Sequence, residues 1–183
     1  MRRTFIFILT IFLLQSCGTG DEEQLITVGN KYSLSIPSFL TKVSNLNDDA
    51  SLQYQHAWKG FYVIAIEESK DEMQKAFVDN NLTEIYENNI EGYSKLMLDV
   101  FKESLSNPYQ SEIIDTTINK MPAKLTTLSG RAEGIDAFYS IGIYEGKDKY
   151  YQVLAWTLSN KQRSYKSKMN KILINSLLLF LPF

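Results

Sequence analysis

Apolar residues recur along this chain with two different periods, and the switches between them outline its elements. Residues 31–36 alternate, with Tyr32, Leu34 and Ile36 on one face and Pro37 as the stop, which predicts a strand entered through Gly29-Asn30. After a polar loop with Asn45, Asn47, Asp48 and Asp49, alternation returns at Leu52, Tyr54, His56 and Trp58. Lys59-Gly60 reads as a hairpin turn into Phe61 to Ile66, whose unbroken apolar run predicts a strand covered on both faces.

The period then lengthens. Ser69 followed by Glu72 has the spacing of a capping box, so a helix is predicted from there to the Asn80-Asn81 break. A longer one is predicted between Glu84 and Leu105, where Tyr86, Ile90, Tyr93, Met97, Val100 and Phe101 form one apolar stripe, ended by Asn107-Pro108. Strand patterning resumes over 112–118, 123–128, 135–144 and 149–158, with turns at Asn119-Lys120-Met121-Pro122 and Gly146-Lys147-Asp148. The last two strands carry large apolar groups on both alternating faces, as a sheet packed on both sides requires. A final helix from about Lys161 sets Tyr165, Met169, Ile172, Leu173, Ser176 and Phe180 against a basic opposite face. A Ser176 hydroxyl in that stripe needs a partner, and the Ile172 carbonyl is within reach in a helix. These elements predict a single α+β domain over 25–183, an antiparallel sheet of about six strands packed between helices.

The first seventeen residues follow neither period. Arg2 and Arg3 precede an apolar run from Phe5 to Leu14, the layout of a secretory leader and too short to span a bilayer. Leu14-Gln15-Ser16-Cys17 resembles the lipobox of bacterial lipoproteins. That resemblance implies removal of 1–16 and attachment of lipid to Cys17, an anchor exceeding the two chains that stable membrane binding needs. A cleaved leader with a free Cys17 is the alternative. Gln15 stands where the lipobox usually has Ala or Ser. Gly18 in place of Asp lacks the family's inner-membrane retention mark, which implies the outer membrane, on its periplasmic or surface side. Residues 17–24 read as a flexible, acidic tether. They also resemble, weakly, the acidic segment that sends some lipoproteins to the cell surface.

Composition narrows the classes. Cys17 is the only cysteine, so no disulfide can form within the chain, and 44% hydrophobic with 22% charged residues is ordinary globular composition. The formal net charge is −2, and loss of Arg2 and Arg3 would leave 17 basic against 21 acidic residues, a net of −4. Beyond Asp148 there are Lys149, Lys161, Arg163, Lys166, Lys168 and Lys171 and no acid, so the C-terminal end carries +6 and the rest −10. An acidic protein outside the cytoplasm is not a nucleic-acid binder. The basic side of the last helix (Lys161, Arg163, Lys166, Lys168, Lys171) is a solvated face, a contact for anionic lipid headgroups, or a dock for an envelope partner.

Candidate chemistry is sparse. His56 is the only histidine, which removes multi-histidine zinc sites and His-based triads, and its strand position favours a structural role. Glu84, Glu87 and Glu91 share helical spacing but point away from the apolar stripe, with Lys95 expected to pair with Glu91. Asn45, Asn47, Asp48 and Asp49 lack the glycine and terminal glutamate of a calcium loop. No phosphate loop, nucleophile elbow or dinucleotide fingerprint is present, and no cofactor, metal or catalytic set is assigned.

Tyr32-Ser33-Leu34-Ser35-Ile36-Pro37, the Asn119 to Ala123 turn segment, Tyr150-Tyr151-Gln152-Val153 and Trp156-Thr157 before a terminal helix resemble the PsbP-like superfamily (PsbP and DcrB). The likeness spans nearly all of the mature chain and implies an antiparallel sheet between helices, but transfers no functional residue. The chain is accordingly read as a lipid-anchored, non-enzymatic accessory or binding module of the envelope. Two alternatives stand beside that reading. One is a surface lipoprotein binding a small ligand or glycan on Tyr144, Tyr150 or Trp156. The other is a hydrolase using paired carboxylates drawn from Glu67, Glu68, Asp71 and Glu84.

Overall fold

The computed structural model describes residues 22–175 and 178–179. The leader, Cys17, Ser176 and Phe180 therefore lie outside the described residues. Strand β1 (Glu23–Val28) pairs antiparallel with β2 (Tyr32–Pro37). The short β3 (Thr41–Lys42), β4 (Ala50–His56) and β5 (Phe61–Ser69) follow, then helices α1 (Lys70–Asp79) and α2 (Ile90–Glu103). Next come β6 (Ser106–Gln110), β7 (Ile114–Ile118), β8 (Met121–Ala132), β9 (Ile135–Glu145) and β10 (Lys149–Leu158). Helix α3 (Gln162–Asn175) and β11 (Leu178–Leu179) close the described chain.

The main sheet has the order β3-β4-β5-β10-β9-β8-β6 with β7 also on β8, eight strands where about six were expected; β1-β2-β11 form a second, three-stranded sheet. The additional strand β6 holds Pro108 and β3 has two residues, both at sheet edges where a missing N–H or a short ladder is tolerated. The central strands β5, β10 and β9 are covered twice. On one face Phe61, Val63, Ala65, Tyr151, Val153, Ala155 and Tyr144 pack under β1-β2 and the Tyr165, Met169, Ile172, Leu173 stripe of α3. On the other, Tyr139, Ile141, Ile143 and Tyr150 meet Ile90, Tyr93 and Leu98 of α2.

Local chemistry sets several boundaries. The Ser69 hydroxyl accepts from the Glu72 N–H (3.4 Å) and starts α1 where the capping box predicts. The second helix departs from expectation by six residues at its start. Asn89 caps it through an N–H of Gly92 (3.0 Å), and residues 82–89 fold into turns in which Tyr86 packs against Phe77 (6.1 Å). A side chain on Gly92 would run into the backbone at Glu87, so the entry to α2 admits only glycine there. Glu84 and Glu87 are thus off the helix, and Glu91 pairs with Lys124 (3.1 Å) while Lys95 pairs with Asp99 (3.2 Å), not with Glu91.

Three further differences follow from local geometry. Trp58 leaves the alternating face expected for it. The chain turns at His56, whose Nδ1 accepts from the Lys59 N–H (3.2 Å), and Gly60 ends the turn at φ +61°, which swings Trp58 out to 89% exposure. The turn at 119–122 is tighter than predicted: Asn119 and Lys120 take positive φ, and Met121 and Pro122 already pair in β8. The tether ends earlier than residue 24, because Glu23 and Gln24 belong to β1 and the Lys171 ammonium pairs with Glu23 (2.8 Å).

Candidate functional site

Because strand pairing fixes which residues stand side by side, the α1/α2 face of the sheet can be read in rows running across β5, β10 and β9. The first row is Tyr62, Trp156, Tyr139; the second Ile64, Leu154, Ile141; the third Ile66, Gln152, Ile143; the fourth Glu68, Tyr150, Glu145. Rows on one face are two residues apart, so the first and fourth are separated by about 20 Å. Along that distance the surface passes from aromatic through aliphatic to acidic.

Helices α1 and α2 do not seal these rows. Between them and the sheet lies a cleft of about 870 Å³, floored by Trp156, Leu154, Ile66 and Gln152, with Met73 and Ala76 of α1 and Met97 and Phe101 of α2 among its walls. Trp156 stacks on Tyr62 (5.1 Å, 12°), and Phe101 meets Tyr139 edge-on (4.7 Å), which fixes the aromatic end. Two of the wall residues are methionines, whose unbranched side chains adapt to varied apolar shapes.

At the other end Glu68 is half-buried. Its carboxylate accepts from the Tyr93 hydroxyl and from Gln152 Nε2 (2.9 Å), and that same nitrogen lies 2.8 Å from the Tyr93 oxygen. Tyr93 is fully buried and stacks on Tyr150 (4.1 Å). Burial first, and the adjacent Glu68 charge second, push the Tyr93 hydroxyl far above its ordinary value, so it stays protonated as a donor. Asp49 and Glu72 complete the acidic rim, and Gln53 holds the loop that carries Asp49. Gln53 Oε1 accepts from the Leu46 N–H (2.8 Å), and its Nε2 donates to the Asn47 carbonyl (2.7 Å).

The proposed carboxylate set is not assembled here. Glu67 and Glu68 are neighbours on β5 and so address opposite faces of the sheet; Asp71 and Glu84 are exposed on α1 and beyond it. Glu67, with its side chain only 8% exposed, is held between Lys31 and Lys149 (2.9 Å to Lys149). Burial alone would raise its carboxyl, but the two ammonium groups outweigh that and keep it below its usual range. This is the reverse of the raised acid that a carboxylate-pair hydrolase needs. Tyr144 and Tyr150, expected on a stacking platform, are buried at 0% and 3% exposure, with the Tyr144 hydroxyl donating to the Leu173 carbonyl (2.8 Å). Of that trio Trp156 alone reaches the cleft. The strand alternation places it there; Tyr93 and Gln152 escaped sequence reasoning, although a glutamine between Tyr150 and Leu154 was a legible signal.

The basic residues of α3, and Lys161 in the turn just before it, are partly committed to the domain itself. Lys161 donates to the Lys59 carbonyl (2.9 Å), Lys171 holds Glu23, and Lys166 lies over the Phe138 ring (5.8 Å). Among the described residues no cluster of His, Cys, Asp and Glu suits a metal, and no helix is long and apolar enough to cross a membrane.

An antiparallel sheet with a terminal helix on one face and two helices on the other is the PsbP-like architecture, and the chain has that fold. Its similarity to solved structures is in shape far more than in sequence. The cyanobacterial PsbP (CyanoP) of Synechocystis superposes with a TM-score of 0.53 at 8% identity, over 91% of this chain and 98% of that one. LpqN of Mycobacterium tuberculosis, described as involved in cell envelope biogenesis, gives 0.54 at 9% identity, over 86% and 90%. A Pseudomonas aeruginosa protein of unknown function, PA94, gives 0.48 at 14% identity, over 88% and 99%. No protein-family model and no curated protein sequence matches the chain.

Proposed function

We propose that this protein is a non-enzymatic envelope module, lipid-anchored at Cys17, which binds a ligand with an apolar body in the cleft between α1, α2 and the sheet. The observation that carries the reading is the cleft itself. Its floor leaves Ile66, Leu154 and Trp156 half-exposed, whereas the matching residues on the opposite face are closed. Apolar surface left in water costs about 25 cal/mol per Å², and clefts of about 300–1,000 Å³ with a few convergent polar groups are the usual form of small-ligand sites. The lipobox-like Leu14 to Cys17 and the envelope role given for LpqN support the location. Gly18 after the cysteine, where the inner-membrane retention mark would be Asp, supports the outer membrane as the anchor's location, and the exposed Arg163 side of α3 is the surface we assign to an envelope partner.

The test uses a Trp58→Phe protein, in which Trp156 is the only tryptophan. Titration with decyl glucoside below its micelle threshold is expected to blue-shift Trp156 emission saturably, and Ala76→Phe, which fills the cleft, to weaken that response at least tenfold. A flat titration with correctly folded protein, or a response indifferent to filling, removes the reading.

A further inference from the structure

The cleft carries charge of one sign. Asp49, Glu68 and Glu72 bring carboxylates to it, the adjoining Glu67 turns its own to the opposite face, and no lysine, arginine or histidine is among the lining residues. Glu67 is neutralised by Lys31 and Lys149, but among the described residues no ammonium or guanidinium lies within 4 Å of Glu68, Glu72 or Asp49. Within the acidic row Lys70 pairs with Glu145 (2.7 Å) and lies over the Tyr150 ring (5.2 Å), which compensates Glu145 and leaves Glu68 as the carboxylate of that row without an ion pair, while Lys124 is held by Asp115 (2.6 Å) and Glu91. The hydrogen bonds that Glu68 accepts come from two neutral donors, Tyr93 and Gln152, which position its carboxylate without cancelling its charge.

Resting on the cleft reading above, we infer that the ligand is a cationic amphiphile: a compound with an ammonium-type head and an alkyl or aryl body. The body lies along the Trp156, Leu154 and Ile66 rows and the head meets Glu68 at the acidic end. The spacing supports this assignment. About 20 Å from the aromatic to the acidic row accommodates an extended chain of a dozen or so carbons plus a head group. An anionic amphiphile would bring like charge against Glu68 in a partly desolvated site, where the repulsion is weakly screened. A neutral one would bury the same apolar area but leave the acidic end without a counter-charge.

Three decyl amphiphiles, each below its micelle threshold, test this against the Trp58→Phe protein with Trp156 emission as the local reporter. Decyltrimethylammonium carries a positive head, decanoate a negative one and decyl glucoside none. The cation is expected to bind at least tenfold tighter than decanoate. Glu68→Gln keeps a side chain that can still bond Tyr93, and should bring the cation to within threefold of the glucoside. Glu72→Gln, on the exposed start of α1, serves as the second variant and should give a smaller loss in the same direction. If all three amphiphiles bind equally, the charge inference fails while the cleft reading stands; if none binds, both fall. A cation preference untouched by both substitutions would place the cation elsewhere and overturn the proposal.

Discussion

The two faces of the central sheet are built from the same alternating strands and end in opposite states. Toward α3 and the small sheet, Phe61, Val63, Tyr144, Val153 and Ala155 are essentially without solvent contact. Toward α1 and α2, Ile66, Leu154 and Trp156 stay half-open over a cavity. The difference lies in what covers them. Helix α3 lies across β9, β10 and β2 with Tyr165, Met169, Ile172 and Leu173 down, and β1-β2 close the remaining width. Helix α1 packs on β5 and α2 on β9, β8 and β6, and a trough stays open between them over the middle of the sheet. One face is therefore closed, while the other combines a buried core around Tyr93, Ile141, Ile143 and Tyr150 with an open trough, a division that neither strand alone encodes.

Mutations can break or sharpen this contrast. The largest effect is expected at Phe61→Ala on the sealed face, a loss of about 3–5 kcal/mol in denaturant unfolding, against about 1–2 kcal/mol for Leu154→Ala, whose cleft position already lacks neighbours on one side. Equal costs would erase the distinction between the faces. Gly142→Ala comes next. The Tyr144 ring lies over Gly142, where an added methyl would overlap it, so a loss of about 1–3 kcal/mol is expected, with a correspondingly lower thermal midpoint. Gly142 and Tyr144 both belong to the sealed side, and decyl amphiphile affinity should not change.

The ion pairs of Glu67 give a pH-dependent version of the same comparison. Its carboxyl sits below its usual 4.5 when folded, so its contribution is complete above that value and is lost as pH falls through the folded one. Glu67→Gln should cost about 1–2 kcal/mol at pH 7, and the gap between wild type and variant should narrow in urea titrations as pH falls below 4.5. A gap that stayed constant with pH would mean that Lys31 and Lys149 do not stabilise the charge. Ser69→Ala should have the smallest effect, about 1 kcal/mol, through the lost cap of α1. Faster hydrogen exchange is expected at the start of α1 and unchanged exchange in α3, because α1 forms only one wall of the cleft.

Local sequence signals are decisive where a short-range bond sets the element. The Ser69 to Glu72 spacing started α1, Pro37 ended β2, and the two-sided apolar pattern of β9 and β10 foretold a sheet covered on both faces. They mislead where another local bond competes. The apolar stripe continued back to Tyr86, but the Asn89 cap starts α2 three residues later, and the His56 turn carried Trp58 away from its strand. Within the candidate site Glu68 and Trp156 were legible as a carboxylate and an outward aromatic, yet nothing in the sequence joined them. Tyr93 and Gln152, which position Glu68, lie on a helix and a strand 59 residues apart.

By itself the sequence determined the periods, the turns, the uneven charge and the lipobox-like start, because each depends on residues within a few positions of one another. The tertiary structure alone decided which strand face was sealed, which carboxylate met lysines and which met only neutral donors, and that an aromatic row and an acidic row ended one continuous trough. Those outcomes depend on strand register and on where helices land, contacts between residues far apart in the chain whose distances no local pattern records.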